Sequence, residues 1–376
     1  MSDGVLRDKW GRPYIYPPPA RGKTHADVIK RYQDRGKLPK PYRRTTKFIS
    51  PLEDTYNLEK WAERNVARGV AERDDLIARA RTCAPGDSDE LNAVAAAAKS
   101  HMRTGLLRDL GSYEHYCTDL IDRHGDDTDL PSPGEYASLR NSQAGRTEVD
   151  ITDDDLSLEE RNADLDAYRA VKQRYGLRFS HIEQMRVFDP WEVAGTPDRI
   201  GTGTDDRFGG KWLVEDLKTG DIDWANKQRE YAMQFAMYAH STAYDPAVGR
   251  YDDVPPVDRD RAVLIHLPVG QARCELHFVD IARGWDGCLR ARAVWEWRKE
   301  TGLFTRLDEW QPPTHLERLA NNPTYAEAAM MAPTVEALRE LWARAADHPG
   351  ALSDSFKAAV KKRLEELESK TGKVSA

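Results

Sequence analysis

The stretch Val193-Ala194-Gly195-Thr196-Pro197-Asp198-Arg199-Ile200, followed within one hairpin by Trp212-Leu213-Val214-Glu215-Asp216-Leu217-Lys218-Thr219-Gly220, constrains this chain more than any other. It sets a carboxylate at a turn, then a second carboxylate and a lysine two residues apart on a strand. Strand side chains alternate faces, so Asp216 and Lys218 point one way while Glu215 and Leu217 point into the opposite layer. The pattern is that of a metal site with a built-in cation. Hard oxygen ligands hold a divalent ion that activates water and neutralises phosphate charge, and a lysine holds or polarises the attacking water, the needs of phosphodiester hydrolysis. The same letters also fit a hairpin turn beside a solvated strand face.

The next segment, Lys227 to His240, has a strong helical pattern, and Gln234 and Tyr238 are stacked on one helix face four residues apart. Tyr231, Phe235 and Tyr238 also recur at the spacing of a core stripe, and the two readings are compatible. The series G-x-x-D, D-x-K and Q-x-x-x-Y, in that order, resembles the RecB-type branch of the PD-(D/E)XK nuclease superfamily. Gly111-Ser112-Tyr113-Glu114-His115, running into Tyr116 to Asp122, resembles the upstream G-x-x-x-H element of those families, and Ser180 to Phe188 supplies Glu183 where they often carry a glutamate on the strand before the hairpin. The resemblance covers roughly residues 100 to 300 and is nearest to phage recombination exonucleases and CRISPR-associated RecB-like nucleases.

The resemblance implies an α/β fold with a restriction-endonuclease-like core, a mixed central β-sheet flanked by helices, and helical N- and C-terminal additions. It implies that His115, Asp198, Asp216 and the carbonyl of Leu217 bind Mg2+ or Mn2+, and that Lys218 is the catalytic lysine. Glu183 would be a supporting or second-metal carboxylate, and Gln234 and Tyr238 would position the lysine or contact DNA phosphates. By residue type alone, His115 also reads as a surface histidine and Glu183 as a strand-surface charge. The implied activity is metal-dependent exonuclease action on the ends of linear DNA in phage or bacterial recombination or replication. The implied partners are DNA and a recombinase or single-strand-binding protein. Two other readings stay open: a structure-specific or nicking endonuclease of the same fold, and an inactive DNA-binding accessory protein.

A chain of 376 residues, 40% hydrophobic and 32% charged, is long enough for one sizeable core plus an accessory unit. With no apolar run near a membrane span and no apolar stretch at Met1 to Lys9, the expectation is a cytoplasmic protein without a membrane partner. The net charge of -7 hides an uneven distribution, since residues 1 to 50 hold thirteen Lys or Arg against four Asp and no Glu. In this arm Trp10, Tyr14, Tyr16, Tyr32, Tyr42 and Phe48 are interleaved with Lys37, Lys40, Arg43, Arg44 and Lys47, which suits phosphate contact and base stacking. A proline-rich tail wrapped on the body, with Tyr16-Pro17-Pro18-Pro19 extended, fits the same composition. Residues 147 to 166 read as an acidic, solvated and mobile loop leading into a helix. Cys83, Cys117, Cys274 and Cys288 contain no C-x-x-C pair, so neither an iron-sulfur cluster nor a zinc site is expected, and no G-x-x-x-x-G-K-[ST] loop is present to bind ATP.

Periodicity and turn signals divide the chain into a basic arm with a helical segment (1–85), a nuclease core (86–305) and a helical extension (306–376). Helices are expected from Asn57 to Leu76, from Glu90 to His101 with a cap at Ser88 or Asp89, around His115, from Leu158 to Tyr175 ended by Gly176, and from an Asp280 cap to Trp297. Strands are expected at Ser180 to Phe188, around Asp198 and Asp216, at Arg261 to Pro268 and at Arg273 to Val279. Beyond Trp310-Gln311-Pro312-Pro313 the pattern is helical near Tyr325 to Met331, Val335 to Ala346 and Ser353 to Lys370.

Overall fold

The computed structural model describes residues 4–84, 86–143, 148–223, 225–251, 256–307, 326, 329–330, 332, 334–346 and 353–371. The chain forms two compact units, Met1–Lys299 and Glu300–Ala376. It is an α/β protein with two mixed five-stranded sheets in the larger unit. Among the described residues, no helix is long and apolar enough to cross a membrane.

The strands of the larger unit are β1 (Tyr14–Ile15), β2 (Lys40–Pro41), β3 (Arg43–Arg44), β4 (Arg178–Ile182), β5 (Arg186–Phe188), β6 (Val193–Gly195), β7 (Arg199–Thr202), β8 (Leu213–Lys218), β9 (Thr242–Asp245), β10 (Gly249–Tyr251), β11 (Arg261–His266) and β12 (Glu275–Asp280). One sheet has the order β12-β11-β8-β7-β4, the other β10-β9-β5-β6-β3, and β1 and β2 form a separate ribbon. Its helices are α1 (His25–Asp34), α2 (Thr45–Ile49), α3 (Tyr56–Ala71), α4 (Asp74–Thr82), α5 (Ser88–His101), α6 (Leu106–His124), α7 (Pro133–Asn141), α8 (Leu158–Tyr175), α9 (Ala225–His240) and α10 (Ile281–Trp297).

Strand alternation on β8 produces two cores. Leu213 and Leu217 join Leu110, Tyr113, Cys117 and Ile121 of α6 and Leu165 and Tyr168 of α8. From the other face, Val214 joins Phe235, Ala236 and Met237 of α9 and Ile281 and Cys288 of α10. The sheet is therefore buried on both faces, and the crossover from β8 through α9 reaches β11 in parallel register.

Local signals set several boundaries. Ser157 and Glu160 form a capping box at the start of α8, Gly176 ends it in the left-handed conformation, and Asp280 caps α10. Asp87, one residue before the expected positions, caps α5 through the amide of Glu90. The helix expected from Asn57 to Leu76 is two helices, because the chain turns extended at Arg73, the N-cap of α4. The strand expected at Ser180–Phe188 is also two, β4 and β5, and they belong to different sheets. The break falls at Glu183, whose φ of 56° lies in the left-handed region that a continuous strand cannot contain. Likewise β6 and β7 lie in different sheets, so Thr196-Pro197-Asp198 links one sheet to the other and is not a hairpin turn. The acidic segment is pinned at several points: Asp155 takes both Arg103 nitrogens, Asp153 accepts from the Gly134 amide at 2.8 Å, and Ile151 and Leu156 are buried.

The basic arm is part of the larger unit. β3 pairs in parallel with β6, Phe48 and Ile49 of α2 are fully buried, and Tyr42 is buried with Ile15 and Tyr244. In the smaller unit, helices Val335–Ala346 and Asp354–Thr371 share a core of Leu338, Ala345, Phe356 and Leu367. The bounds Tyr325 and Met331 of the other expected helix, and Trp310 to Pro313, lie outside the described residues.

Candidate active site

The pairing of β7 with β8 ends at Arg199 opposite Glu215, leaving the last residues of β8 without a strand partner on that edge. Asp198 fills the gap: its Oδ2 accepts the Leu217 amide hydrogen at 2.7 Å. A residue's N–H and C=O leave a strand on the same edge, so the Leu217 carbonyl is directed into the same gap. Helix α6 approaches from one face of the sheet and brings His115 Nδ1 to 3.2 Å from Asp198 Oδ2. On the opposite face Lys218 and Asp216 form an ion pair, and Asp216 Oδ1 lies 3.4 Å from the Asp198 amide. Pairwise contacts centred on Asp198 thus link His115, Asp216 and Leu217, Asp216 adds Lys218, and Glu215 is buried on the face away from Lys218.

Gly111 explains how α6 comes so close. A Cβ there would stand 2.4 Å from Thr219 Oγ1, immediately after Lys218, so with Thr219 in place glycine gives the helix its clearance. Gly195 does the same where β6 meets Thr45 of α2 and Tyr238 of α9. Arg199 fastens the other side of α6, reaching Asp122 at 2.5 Å and Asp119 at 3.1 Å.

Glu183 reaches the site by an unexpected route. It stands at the left-handed break after β4, and its amide donates to the Asp198 carbonyl at 2.8 Å. The protein packed around it, then the negative charge of Asp198 and Asp119, pushes its carboxyl up to about 8, although the side chain still reaches solvent. Asp119, one turn beyond His115, was not singled out by its sequence. Burial, moderated by Arg199, raises it to about 6. The i, i+4 spacing from His115 was the signal available.

The rings of Tyr231 and Phe235 stack on each other beside Lys218, with centroids 5.1 Å and 5.7 Å from Nζ. Gln234 Nε2 donates to Tyr238 Oη at 2.9 Å, and Tyr238 lies close enough to Lys218 to bear on its charge. The aromatic stripe is therefore both core and lysine support. Arg43, Arg44 and Lys47 are not at the carboxylate cluster. They line a cavity of about 730 Å³ with Trp10, Arg12, Lys40, Trp191, Glu192 and Trp295, in which Arg43 stacks on Trp295 at 3.7 Å.

Burial works to raise Asp198, but His115 beside it, with Lys218 and Arg199, holds it well below the usual carboxylate range. Burial and then Asp198 raise Asp216. Burial opposes the charge of Lys218 and of His115, and the carboxylates overcome it in both, so both are raised. Asp198, Asp216 and His115 bring carboxylate oxygens and an imidazole nitrogen, types of atom that can ligate a divalent ion.

No family model and no curated protein matches the chain. Among solved structures, a crystal structure of SSO0001 aligns at 13% identity with a TM-score of 0.21, covering 56% of this chain and 98% of that one. At that TM-score the likeness carries no argument about fold or function.

Proposed function

We propose that this chain is a Mg2+- or Mn2+-dependent deoxyribonuclease of the PD-(D/E)XK type, RecB-like branch, and that it acts as an exonuclease on the ends of linear DNA. The observation that carries the reading is the convergence of His115, Asp198, Asp216 and Lys218 from α6, the link before β7, and β8. Four ionisable groups of these types, buried or half-buried together, are costly to assemble for structure alone. An antiparallel β7–β8 pair followed by a helical crossover to a parallel strand is consistent with a restriction-endonuclease-like core.

Asp198, Asp216, His115 and the Leu217 carbonyl would hold the ion. When bound, it neutralises phosphate charge and lowers the pKa of water at the scissile bond. Lys218, held beside the stacked Tyr231 and Phe235 rings, orients the attacking water and stabilises the negative charge that develops on the phosphoryl oxygens. Glu183, whose amide donates to the Asp198 carbonyl, would serve as a supporting or second-metal carboxylate beside the ion.

The test is nucleotide release from end-labelled linear DNA with Mg2+. Lys218→Ala should lower the rate by roughly 100- to 1000-fold while leaving DNA binding largely intact. Asp216→Ala should abolish release, as should EDTA. Full activity in either variant overturns the reading, and cleavage of closed circular DNA would replace exonuclease by endonuclease.

A further inference from the structure

His266 on β11 lies directly opposite Glu275 on β12, and His277 follows two residues later, opposite Leu264. Residues paired across a ladder share a face, as do residues two apart on a strand, so the three side chains project together from one hairpin. One ligand atom from each lies within 4.8 Å of the other two. His277 Nε2 stands 3.6 Å from Glu275 Oε2. His266 Nε2 lies 3.0 Å from the Gly220 carbonyl. An imidazole that donates Nε2–H to a backbone carbonyl is fixed in orientation and keeps the Nδ1 lone pair for a ligand, the support commonly found behind metal-bound histidines. His266 is buried, whereas Glu275 and His277 are partly open to solvent, so an ion has a way in.

We propose that His266, Glu275 and His277 form a binding site for a borderline transition metal of the zinc class, distinct from the carboxylate cluster. The donors decide the class. Two imidazoles and one carboxylate suit Zn2+ and its neighbours, whereas Mg2+ favours a shell dominated by oxygen, as around Asp198 and Asp216. Three protein ligands leave the fourth tetrahedral position for water or an anionic oxygen. The contact between Arg273 Nη1 and Glu275 Oε1, at 3.3 Å, is an exposed pair that a metal can displace at small cost. His266 is in register with Lys218 on the neighbouring strand, so the site opens on the same sheet face as Asp216 and Lys218. The open position would then face an anion, such as a phosphate, approaching that side. The site does not depend on the nuclease reading.

Full-length protein stripped by chelator and titrated with Zn2+ by calorimetry, and with Co2+ by visible absorption, tests it. Two Zn2+ sites in the parent, one of them lost in Asp198→Asn/Asp216→Asn, and the strong absorption of tetrahedral Co2+ are expected. His277→Ala should weaken Zn2+ at least about 100-fold, more than loss of a supporting group costs. Glu275→Gln should weaken it too, and both positions are open enough to keep the fold, checked by circular dichroism. Asp198→Asn/Asp216→Asn should retain the site. No Zn2+ or Co2+ binding in the parent, unchanged binding in His277→Ala, or loss of both sites in the double Asp variant overturns the proposal.

Discussion

Glu215 and Glu114 show what burial does to a single carboxyl. Both are fully buried, and neither has a hydrogen-bond partner for its oxygens among the described residues. Burial pushes each to about 8, helped by Asp164 at Glu114 and opposed by Arg199 at Glu215, against an ordinary value of 4.5. The folded state therefore holds these protons more tightly than the unfolded chain. The stabilisation is complete below about 4.5 and is lost as the pH rises through about 8, on the order of a few kcal/mol per carboxyl. Glu215→Gln, which keeps the shape of the neutral form, should remove one such contribution. Urea unfolding at pH 6 and pH 9 is expected to show the variant gaining on the parent as pH rises, with DNA degradation nearly unchanged. An identical pH dependence in the two proteins would refute the burial argument. Strand alternation made the placement of Glu215 legible, but not its partners. A period of two says which face a residue occupies, not which ring or guanidinium waits on that face.

At the scale of elements, the site depends on how closely α6 can lie against the end of β8. Gly111→Ala should drive the new methyl into Thr219 Oγ1 and lower nuclease activity more than thermal stability. Thr219 Cβ is at ordinary contact distance, 3.5 Å, so Thr219→Ala in the same chain should restore activity. Failure of that rescue would show that the glycine serves something other than clearance. Arg199 is the second fastening, and replacing it by Met leaves Asp119 and Asp122 without their buried cation. A loss of about 3–5 kcal/mol in urea unfolding is expected. Caps and periodic faces made α5, α8 and α10 readable, because those signals are local. The division of Ser180–Phe188 between two sheets was not readable. A run of strand-forming residues does not reveal which neighbour each half will pair with, and Glu183 carries no glycine to announce its left-handed backbone. Asp119 and the Tyr231–Phe235 support for Lys218 were equally hidden, since each acquires its role only when α6 and α9 dock on opposite faces of β8.

Across the whole molecule, a net charge of -7 conceals the cavity where Arg12, Lys40, Arg43, Arg44 and Lys47 gather among three tryptophans. If single-stranded DNA follows that surface, Arg44→Glu and Lys47→Glu should each lower the slope of log affinity against log salt by at least about 0.7. Trp10→Ala should instead cost about 1–3 kcal/mol of affinity through lost stacking, with the slope unchanged. Fluorescence anisotropy in Ca2+ at several salt concentrations separates the two effects, and equal slopes in all variants would rule out phosphate contact there. The excess of cations in the first 50 residues was plain in the sequence. That they would form one wall of a shared cavity was not, because β3 finds its partner β6 only in the folded chain. This pairing also has a consequence in time. Arg43 meets Val193, about 150 residues downstream, so at roughly 5–20 residues per second of synthesis the arm waits on the order of ten to thirty seconds for its partner strand. During that interval Tyr42 and Phe48 lack the core they enter in the folded chain, and like charge on the arm's lysines and arginines works against association of nascent segments.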